Sequence, residues 1–232
     1  MKKKIFFMLL LTGLILFNTN STFAQAGTLD NSFSGDGKVT TITNGKTHVS
    51  YGESVAIQAN GKIVVAGYET YDATVLNRFV VVQYNSTGTL DNTFGGGDGI
   101  VSTDFAYSAK GKSVAIQKWD EKIVVAGTTD GKFAIARYTS TGILDNTFGG
   151  GDGIVITDFE YAATGQCVAI NQVTHSIVVA GSSNGNFVVA RYSSTGTPDK
   201  KFSIDGKTTV DFGDSQTNII DECYAAAIQA DG

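Results

Sequence analysis

The stretch LDNTFGGGDGIVITDF occupies residues 144–159, and residues 90–105 read LDNTFGGGDGIVSTDF, which differs at a single position. These phrases belong to longer units that open at Gly88, Gly142 and Gly196. The first two of these units align without gaps and agree at more than half of their positions. An earlier copy opens at Gly27 and carries an insertion, and the copy from Gly196 is partial. Self-similarity of this kind predicts an architecture of stacked, equivalent supersecondary units.

Each unit has the pattern of four short β-strands. In the third copy these are CVAIN, SIVVAG, NFVVARY and GIVITDF, which are rich in Val, Ile, Phe and Tyr and are separated by turn residues. The connections ANG, TDG and SNG favour hairpins, because Asn-Gly and Asp-Gly accept positive φ angles at little cost. No stretch of the chain after its first segment shows a helical period.

The strands are apolar on both faces, as IVVAG and FVVAR show. An antiparallel sheet with one solvated face would alternate apolar and polar residues, so both faces must be covered. Because no helices are predicted, the cover must be other sheets, and the recurrent Ala66, Ala126 and Ala180 would let these sheets approach closely. The sequence therefore predicts an all-β fold, a β-propeller built of four-stranded antiparallel blades.

The motif VAIQ-x-x-GKIVVAG, followed by F-x-x-ARY-x-x-TG-x-LDNTFGGGDGIV-x-TDF, resembles the delta-60 repeat of secreted bacterial β-propeller proteins. The resemblance extends over nearly all of the chain after its first segment. Gln83 departs from the Arg of the other copies, Pro198 departs from the usual Leu, and residues 172–175 lack the DGK turn. The resemblance implies a propeller fold and no established chemistry or cofactor.

By analogy with propellers, the VAIQ strand is expected to be innermost and the TDF strand outermost. The predicted blades then cover residues 54–105, 113–159 and 167–212. Two orphan strands are expected, an outer one at 27–43 and the start of a truncated blade at 224–229. Three complete blades are too few for a ring of four to eight, so the sequence predicts a partial, open ring whose missing blades lie further C-terminal. An open arc closed by a partner copy is the alternative.

The N-terminus resembles a secretory signal peptide. Lys2, Lys3 and Lys4 precede an apolar run, and the small-residue segment TFAQA places cleavage after Ala24 or Ala26. The prediction is a signal peptide over residues 1–24, a propeller domain over 25–232, and export of the bacterial protein to the medium, periplasm or cell surface. No further apolar run is long enough to span a membrane. The formal net charge of −5 argues against nucleic acid as a partner.

The repeated GGGDG phrase allows three interpretations. It offers one carboxylate among glycines, which is a poor ligand set for calcium, although calcium binding is left open. A phosphate loop would open a helix and carry a Lys, whereas these glycines precede a strand. The third interpretation is structural, because an aspartate present in every blade serves a need of every blade. Such aspartates can accept hydrogen bonds from turn amides or pair with the recurrent Arg137 and Arg191.

The residues that break the repeat are candidates for ligand binding. The segment YETYDATVLN, residues 68–77, enlarges the loop between the second and third strands of the first blade. That loop is expected on the same face as the connections between outer and inner strands. Tyrosines with carboxylates on variable loops suit the binding of a saccharide or a protein. The candidate ligand-binding residues are Tyr51, Tyr68, Tyr71 and Asp72.

Tyr107 and Tyr161 recur between copies and are interpreted as caps of the blades. His48 is expected on the face of the enlarged loop, and His175 at the opposite rim, so they form no metal pair. Cys167 and Cys223 are the only cysteines and lie near the starts of the inner strands of neighbouring blades. Their placement allows a disulfide between them.

No catalytic motif, metal-ligand spacing or cofactor fingerprint is visible in the sequence. The main hypothesis is an exported, non-catalytic β-propeller that serves as a binding or adhesive surface scaffold. The alternative is a secreted or periplasmic propeller enzyme whose site is dispersed around the central channel. A calcium-dependent structural repeat protein is a third interpretation.

Overall fold

A computed structural model describes residues 27–43, 49–71, 76–212 and 221–229 of the chain. The predicted signal peptide and its cleavage sites lie outside these residues. The described residues form twelve β-strands and no α-helix. The strands are β1 Val49–Ile57, β2 Ile63–Tyr71, β3 Leu76–Tyr84, β4 Ile100–Thr103, β5 Ala109–Ile116, β6 Ile123–Thr129, β7 Lys132–Tyr138, β8 Ile154–Thr157, β9 Ala163–Ile170, β10 Ile177–Ser183, β11 Asn186–Tyr192 and β12 Lys207–Val210.

The strands make three four-stranded antiparallel sheets, each formed by four consecutive strands in meander order. We call them blade 1 (β1–β4), blade 2 (β5–β8) and blade 3 (β9–β12). The inner strands β1, β5 and β9 lie side by side, and the arrangement is open rather than closed. The predicted all-β class and the partial propeller of about three blades are confirmed. In the part of the chain that the structure describes, no helix has the length and apolarity needed to cross a membrane.

The core lies between the blades, as the apolar character of both strand faces requires. One cluster joins blades 1 and 2 and includes Val64, Phe79 and Val114, and another joins blades 2 and 3 and includes Val124 and Ile177. The recurrent small residues Ala66, Ala126 and Ala180 are all buried. Blade 2 therefore hides both of its faces behind blades 1 and 3, which explains the absence of alternation along its strands.

The inner strands begin earlier than the sequence predicts, at Val49, Ala109 and Ala163 rather than at 54, 113 and 167. The cause is a β-bulge in each inner strand, which lets pairing continue past the irregular residue. The partner of the bulge is a glycine of the second strand. At Gly67, for example, an added Cβ would lie 1.8 Å from the carbonyl oxygen of Tyr51.

The two predicted orphan strands have no pairing partner among the described residues. Residues 27–43 adopt turns and irregular backbone, and residues 224–229 are extended without a ladder. A strand is defined by hydrogen bonds to a neighbouring strand. As an outer strand, segment 27–43 would need the third strand of its own blade, and as an inner strand, segment 224–229 would need the second strand of its blade. Neither of these neighbours is among the described residues. Both segments nevertheless contact the adjoining blade, because Ser34 N donates to Thr87 O (2.8 Å) and Asp221 N donates to Gly185 O (2.7 Å).

The repeated phrase, at residues 90–105 and 144–159, joins each blade to the next, and we call it the clasp. Gly95 N donates to Thr141 O (3.0 Å) of the next blade, and Gly149 N donates to Thr195 O (3.1 Å) in the same way. The phenylalanine before each of these glycines is fully buried and lies under a glycine of the next blade. An added Cβ at Gly142 would come within 2.9 Å of the Phe94 ring. The repeated phrase therefore has a structural role at the contact between blades.

The recurrent aspartates hold the turns of this clasp. Asp145 Oδ1 accepts hydrogen bonds from Thr147 N (3.0 Å) and Thr147 Oγ1 (2.7 Å), and Asp152 Oδ1 accepts from Ile154 N (2.9 Å). Asp91 and Asp98 make the equivalent bonds in blade 1. Among the described residues, no group of three or more His, Cys, Asp or Glu side chains is placed to hold a metal ion.

Asp145 also forms a buried ion pair. Its Oδ2 lies 2.8 Å from Arg137 Nε and 3.0 Å from Lys122 Nζ. Burial acts to raise the pKa of Asp145, but the hydrogen bonds from Thr147 and the charges of Lys122 and Arg137 outweigh it and hold that pKa far below its usual range. Arg137 in turn donates to the carbonyl oxygen of Ser194 in blade 3. The pair therefore ties one blade to the next.

We expect Gly149→Ala to destabilise the protein far more than Gly150→Ala. Both residues have positive φ, at 66° and 89°. A Cβ at position 149 would lie 1.8 Å from the Ile154 carbonyl oxygen, whereas a Cβ at 150 meets nothing within 4 Å. The backbone strain common to both costs about 1–2 kcal/mol, and the clash at 149 should bring its loss to roughly 4 kcal/mol. Urea unfolding measures both, and equal losses would contradict the clasp geometry.

We expect Asp145→Ala to lower the free energy of unfolding by about 3 kcal/mol, because it leaves the buried guanidinium of Arg137 without its carboxylate. The matched control is Asp199→Ala, which removes the equivalent aspartate of blade 3. Asp199 pairs with Arg191 at 2.9 Å, but its side chain is 24% exposed against 5% for Asp145. If Asp199→Ala lowers the free energy of unfolding as much as Asp145→Ala does, burial of the ion pair does not determine its contribution to stability.

We expect the stability of the wild-type protein to fall as the pH drops below about 4. The pKa of Asp145 is depressed in the folded state relative to the ordinary 3.8. Its contribution is therefore present above the unfolded-state pKa and is lost as the unfolded chain takes up a proton that the folded chain does not. Unfolding curves of wild type and Asp145→Asn between pH 2 and 6 (a range of about two units either side of that pKa) should converge toward low pH. Parallel curves would contradict the assignment.

Candidate functional site

The enlarged hairpin of blade 1 brings two of the predicted tyrosines together. Tyr51 lies in β1 and Tyr68 lies directly opposite it in β2. Their rings stack with centroids 4.7 Å apart and an interplanar angle of 19°. Both residues were predicted on loops and lie instead in strands, because Tyr and Thr favour extended pairing and the insertion lengthens β2 and β3 rather than only their connection.

Two lysines from blade 2 complete the site. Lys110 Nζ lies 5.2 Å and Lys112 Nζ 5.4 Å from the centroid of the Tyr68 ring. These are cation–π contacts, in which the ammonium group is attracted to the negative face of the ring. Lys112 Nζ also lies 2.8 Å from Glu53 Oε1 of blade 1. We call Tyr51, Tyr68, Lys110, Lys112 and Glu53 the tyrosine patch.

The β-bulges of the inner strands position the charged members of the patch. The pairing of β1 shifts between Gly52 and Ser54, and that of β5 shifts between Gly111 and Ser113. Glu53 and Lys112 are the extra residues at these shifts. A bulge turns its extra side chain out of the regular alternation, and this places the two opposite charges across the boundary between blades 1 and 2.

A buried ion pair fixes the hairpin that carries the patch. Glu69 and Arg78 face each other across β2 and β3, and Arg78 Nε donates to Glu69 Oε1 at 2.7 Å. Ser102 Oγ of β4 donates to the same oxygen at 2.5 Å. Glu69 is fully buried, and blades 2 and 3 have Thr129 and Ser183 at its position. Blade 1 therefore differs from its neighbours inside the sheet as well as on its surface.

The patch is accessible, and its pair of tyrosines occurs in blade 1 alone among the three described blades. Tyr51 is 46% exposed. The positions equivalent to Tyr51 hold Lys110 and Thr164, and those equivalent to Tyr68 hold Thr128 and Ser182. An exposed aromatic face beside cationic side chains can stack on the apolar face of a sugar or contact an aromatic or anionic group.

The other sequence-predicted residues have different outcomes. Tyr71 ends β2, but its side chain is not described, and Asp72 and His48 lie outside the described residues. Tyr107 and Tyr161 do not cap the blades with their rings, which are 60% and 55% exposed. Instead, their backbone carbonyls accept hydrogen bonds from Thr129 Oγ1 (3.4 Å) and Ser183 Oγ (3.1 Å).

Two features of the structure were not predicted from the sequence. Lys110 and Lys112 are the first, although an alignment of the inner strands places them at the positions of Tyr51 and Glu53. At the opposite rim, the ring of Trp119 stacks on that of His175 at 3.8 Å, across the boundary between blades 2 and 3. An alignment of the turns at 117–122 and 171–176 would have shown that these two residues occupy neighbouring turns.

Comparison with known families agrees with the fold. A family model described as "Domain of unknown function (DUF5122) beta-propeller" matches residues 58–94, 120–148 and 176–202. The chain contains a β-propeller domain. Each matched segment begins in the turn after the inner strand and ends in the clasp or its counterpart in blade 3. The match therefore covers the second and third strands of all three blades. The match supports membership of a β-propeller family but does not confirm the delta-60 repeat. No curated protein sequence matches the chain.

Proposed function

We propose that the chain is an exported, non-catalytic β-propeller that serves as a binding or adhesive scaffold, with the tyrosine patch as its ligand contact. The observation that carries the proposal is the stacking of the exposed Tyr51 on the half-buried Tyr68, at positions where the other blades have small polar or basic residues. Repeated positions serve the fold, so a stacked aromatic pair that occurs in one described blade has no role in the shared packing.

A saccharide is the ligand class that fits the patch best. Stacking of Tyr51 on Tyr68 holds the ring of Tyr51 at little entropic cost, and its outer face stays open to the apolar face of a sugar. Lys110, which lies over the Tyr68 ring, and Glu53, which pairs with Lys112, supply a hydrogen-bond donor and an acceptor for hydroxyl groups. Export of the protein, which the N-terminal sequence predicts, would bring such a surface into contact with extracellular glycans.

The alternative is a secreted or periplasmic propeller enzyme whose site is dispersed around the central channel. It predicts turnover of a substrate rather than retention of a ligand. The binding proposal and this alternative are separated by measuring both ligand capture and product formation with the same full-length protein.

We expect the purified full chain to bind a subset of a glycan array, and Tyr51→Thr/Tyr68→Ser to weaken that binding about tenfold or more, since an aromatic contact contributes about 0.5–1.5 kcal/mol beyond its buried area. The two substitutions introduce residues that blade 3 has at these positions. The matched control is Tyr161→Thr, which removes an exposed tyrosine outside the patch and should leave binding within twofold (a change of about 0.4 kcal/mol).

Binding that survives the double substitution would remove the patch from the proposal. A chain that binds no glycan but converts a glycan to products would overturn the scaffold function itself. The melting temperature and the β-sheet circular dichroism of each variant establish that it is folded.

A further inference from the structure

The inner strands of successive blades are tied by a serine. Ser54 Oγ of blade 1 accepts a hydrogen bond from Val114 N of blade 2 at 3.2 Å, and Ser113 Oγ of blade 2 accepts from Val168 N of blade 3 at 3.1 Å. In both cases the serine is the residue just after the bulge. This bond joins two inner strands that belong to different sheets.

Blade 3 departs from this arrangement at the same position. Cys167 replaces the serine, and a thiol is a much weaker hydrogen-bond acceptor than a hydroxyl. The segment 221–229 lies where the inner strand of a following blade would begin. Asp221 N donates to Gly185 O at 2.7 Å, just as Ala163 N donates to Gly131 O at 2.6 Å one blade earlier.

The register of these two bonds places Cys223 at the position of a glycine. Gly111 and Gly165 hold that position in blades 2 and 3, pressed against the second strand of the preceding blade. An added Cβ at either glycine would lie 2.6 Å from a carbonyl oxygen, that of Gly67 or Gly127. A cysteine at this position cannot repeat the glycine contact, and its Sγ atom lies against that of Cys167, the other cysteine of the chain.

The two thiols are buried and in contact. Cys167 is 6% exposed and Cys223 is 4% exposed, and their Sγ atoms lie 3.8 Å apart. Ala180, which pairs with Cys167 across the sheet, completes their apolar surroundings together with Phe187, Val189 and Ala226. Both are free thiols in this structure.

We propose that Cys167 and Cys223 are a disulfide-forming site that fixes segment 221–229 against blade 3, in place of the serine–amide bond of the other blades. The reaction needs an oxidant, and a small disulfide such as cystine or glutathione disulfide supplies it. One cysteine thiolate attacks the external disulfide and releases one small thiol. The second thiolate then attacks the mixed disulfide and releases the other small thiol. Two protein thiols are oxidised, one external disulfide is reduced, and both protons leave with the small thiols.

The surroundings of the pair determine how fast it closes. Burial and the neighbouring Cys223 raise the pKa of Cys167 to about 12, so at neutral pH the thiol form predominates. Because the thiolate is the attacking species, closure should accelerate as the pH rises toward 9, about two units above neutrality. Once formed, the bond would be shielded from external reductants by the same burial.

The test compares the full chain after incubation with glutathione disulfide and after incubation with a phosphine reductant. Under denaturing alkylation the reduced protein should take up two labels and the oxidised protein none, and the peptides of residues 167 and 223 should be found linked. The oxidised protein should melt about 5–10 °C higher than the reduced protein. Cys167→Ser and Cys223→Gly each restore the residue of the other blades and serve as controls, in which the redox difference in melting temperature should vanish.

Mixed disulfides with glutathione at both cysteines, or disulfide-linked dimers in place of the internal bond, would overturn the proposal. An internal bond with no change in melting temperature would overturn its role in holding segment 221–229. The two variants should also differ from each other under oxidising conditions. Both lack the disulfide, but Cys167→Ser regains the serine hydroxyl of the other blades, so its melting temperature should fall less than that of Cys223→Gly.

Discussion

The contact on which the rest of the structure depends is the clasp between one blade and the next. A glycine amide after a buried phenylalanine donates to a backbone carbonyl of the following blade, at Gly95 and again at Gly149. The phenylalanine fills the space under a glycine of that blade, where no side chain fits. Both partners of this contact come from the same repeated phrase, so each copy of the sequence supplies a binding surface for the next copy. The sheets stack because the phrase recurs, and the apolar strand faces are buried as a result.

The tyrosine patch arises from this regular frame by small departures. Every inner strand has a bulge, and every bulge presents one side chain outside the pleat. In blade 1 that residue is Glu53 and in blade 2 it is Lys112, so a feature needed by the fold also creates an ion pair between blades. The longer hairpin of blade 1, held by the buried Glu69–Arg78 pair, adds the ring of Tyr68 beside it. A surface with its own chemistry thus requires few changes to the repeat.

The sequence predicts the fold well because the fold is encoded locally and repeatedly. Strands that are apolar on both faces, with no helical period, leave sheet-on-sheet stacking as the arrangement that buries them, and the aspartates of the repeat do hold turns as predicted. The site is only half predictable. Tyr51 and Tyr68 stand out as exceptions within their own copy, whereas Lys110 and Lys112 belong to the next copy and reach Tyr68 through the packing between blades. The strands predicted at 27–43 and 224–229 have no ladder among the described residues for a related reason, since strand formation depends on a neighbour that local pattern does not reveal.

Blade 3 breaks two of the links that join the other blades, and both breaks lie on the side that faces away from blade 2. The hydroxyls of Tyr138 and Tyr192 bond to threonines of the preceding blade, Thr103 and Thr157. At the equivalent position of blade 3 stands Val210, which has no side-chain oxygen to offer. Cys167 replaces the serine that ties the inner strands. The outward face of blade 3 thus lacks both the threonine–tyrosine bond and the serine–amide bond. It has a pair of contacting cysteine sulfurs instead, so segment 221–229 is held by a different interaction from the one that joins the other blades. A covalent bond can replace several hydrogen bonds there because it needs no ladder to support it, and segment 221–229 has none.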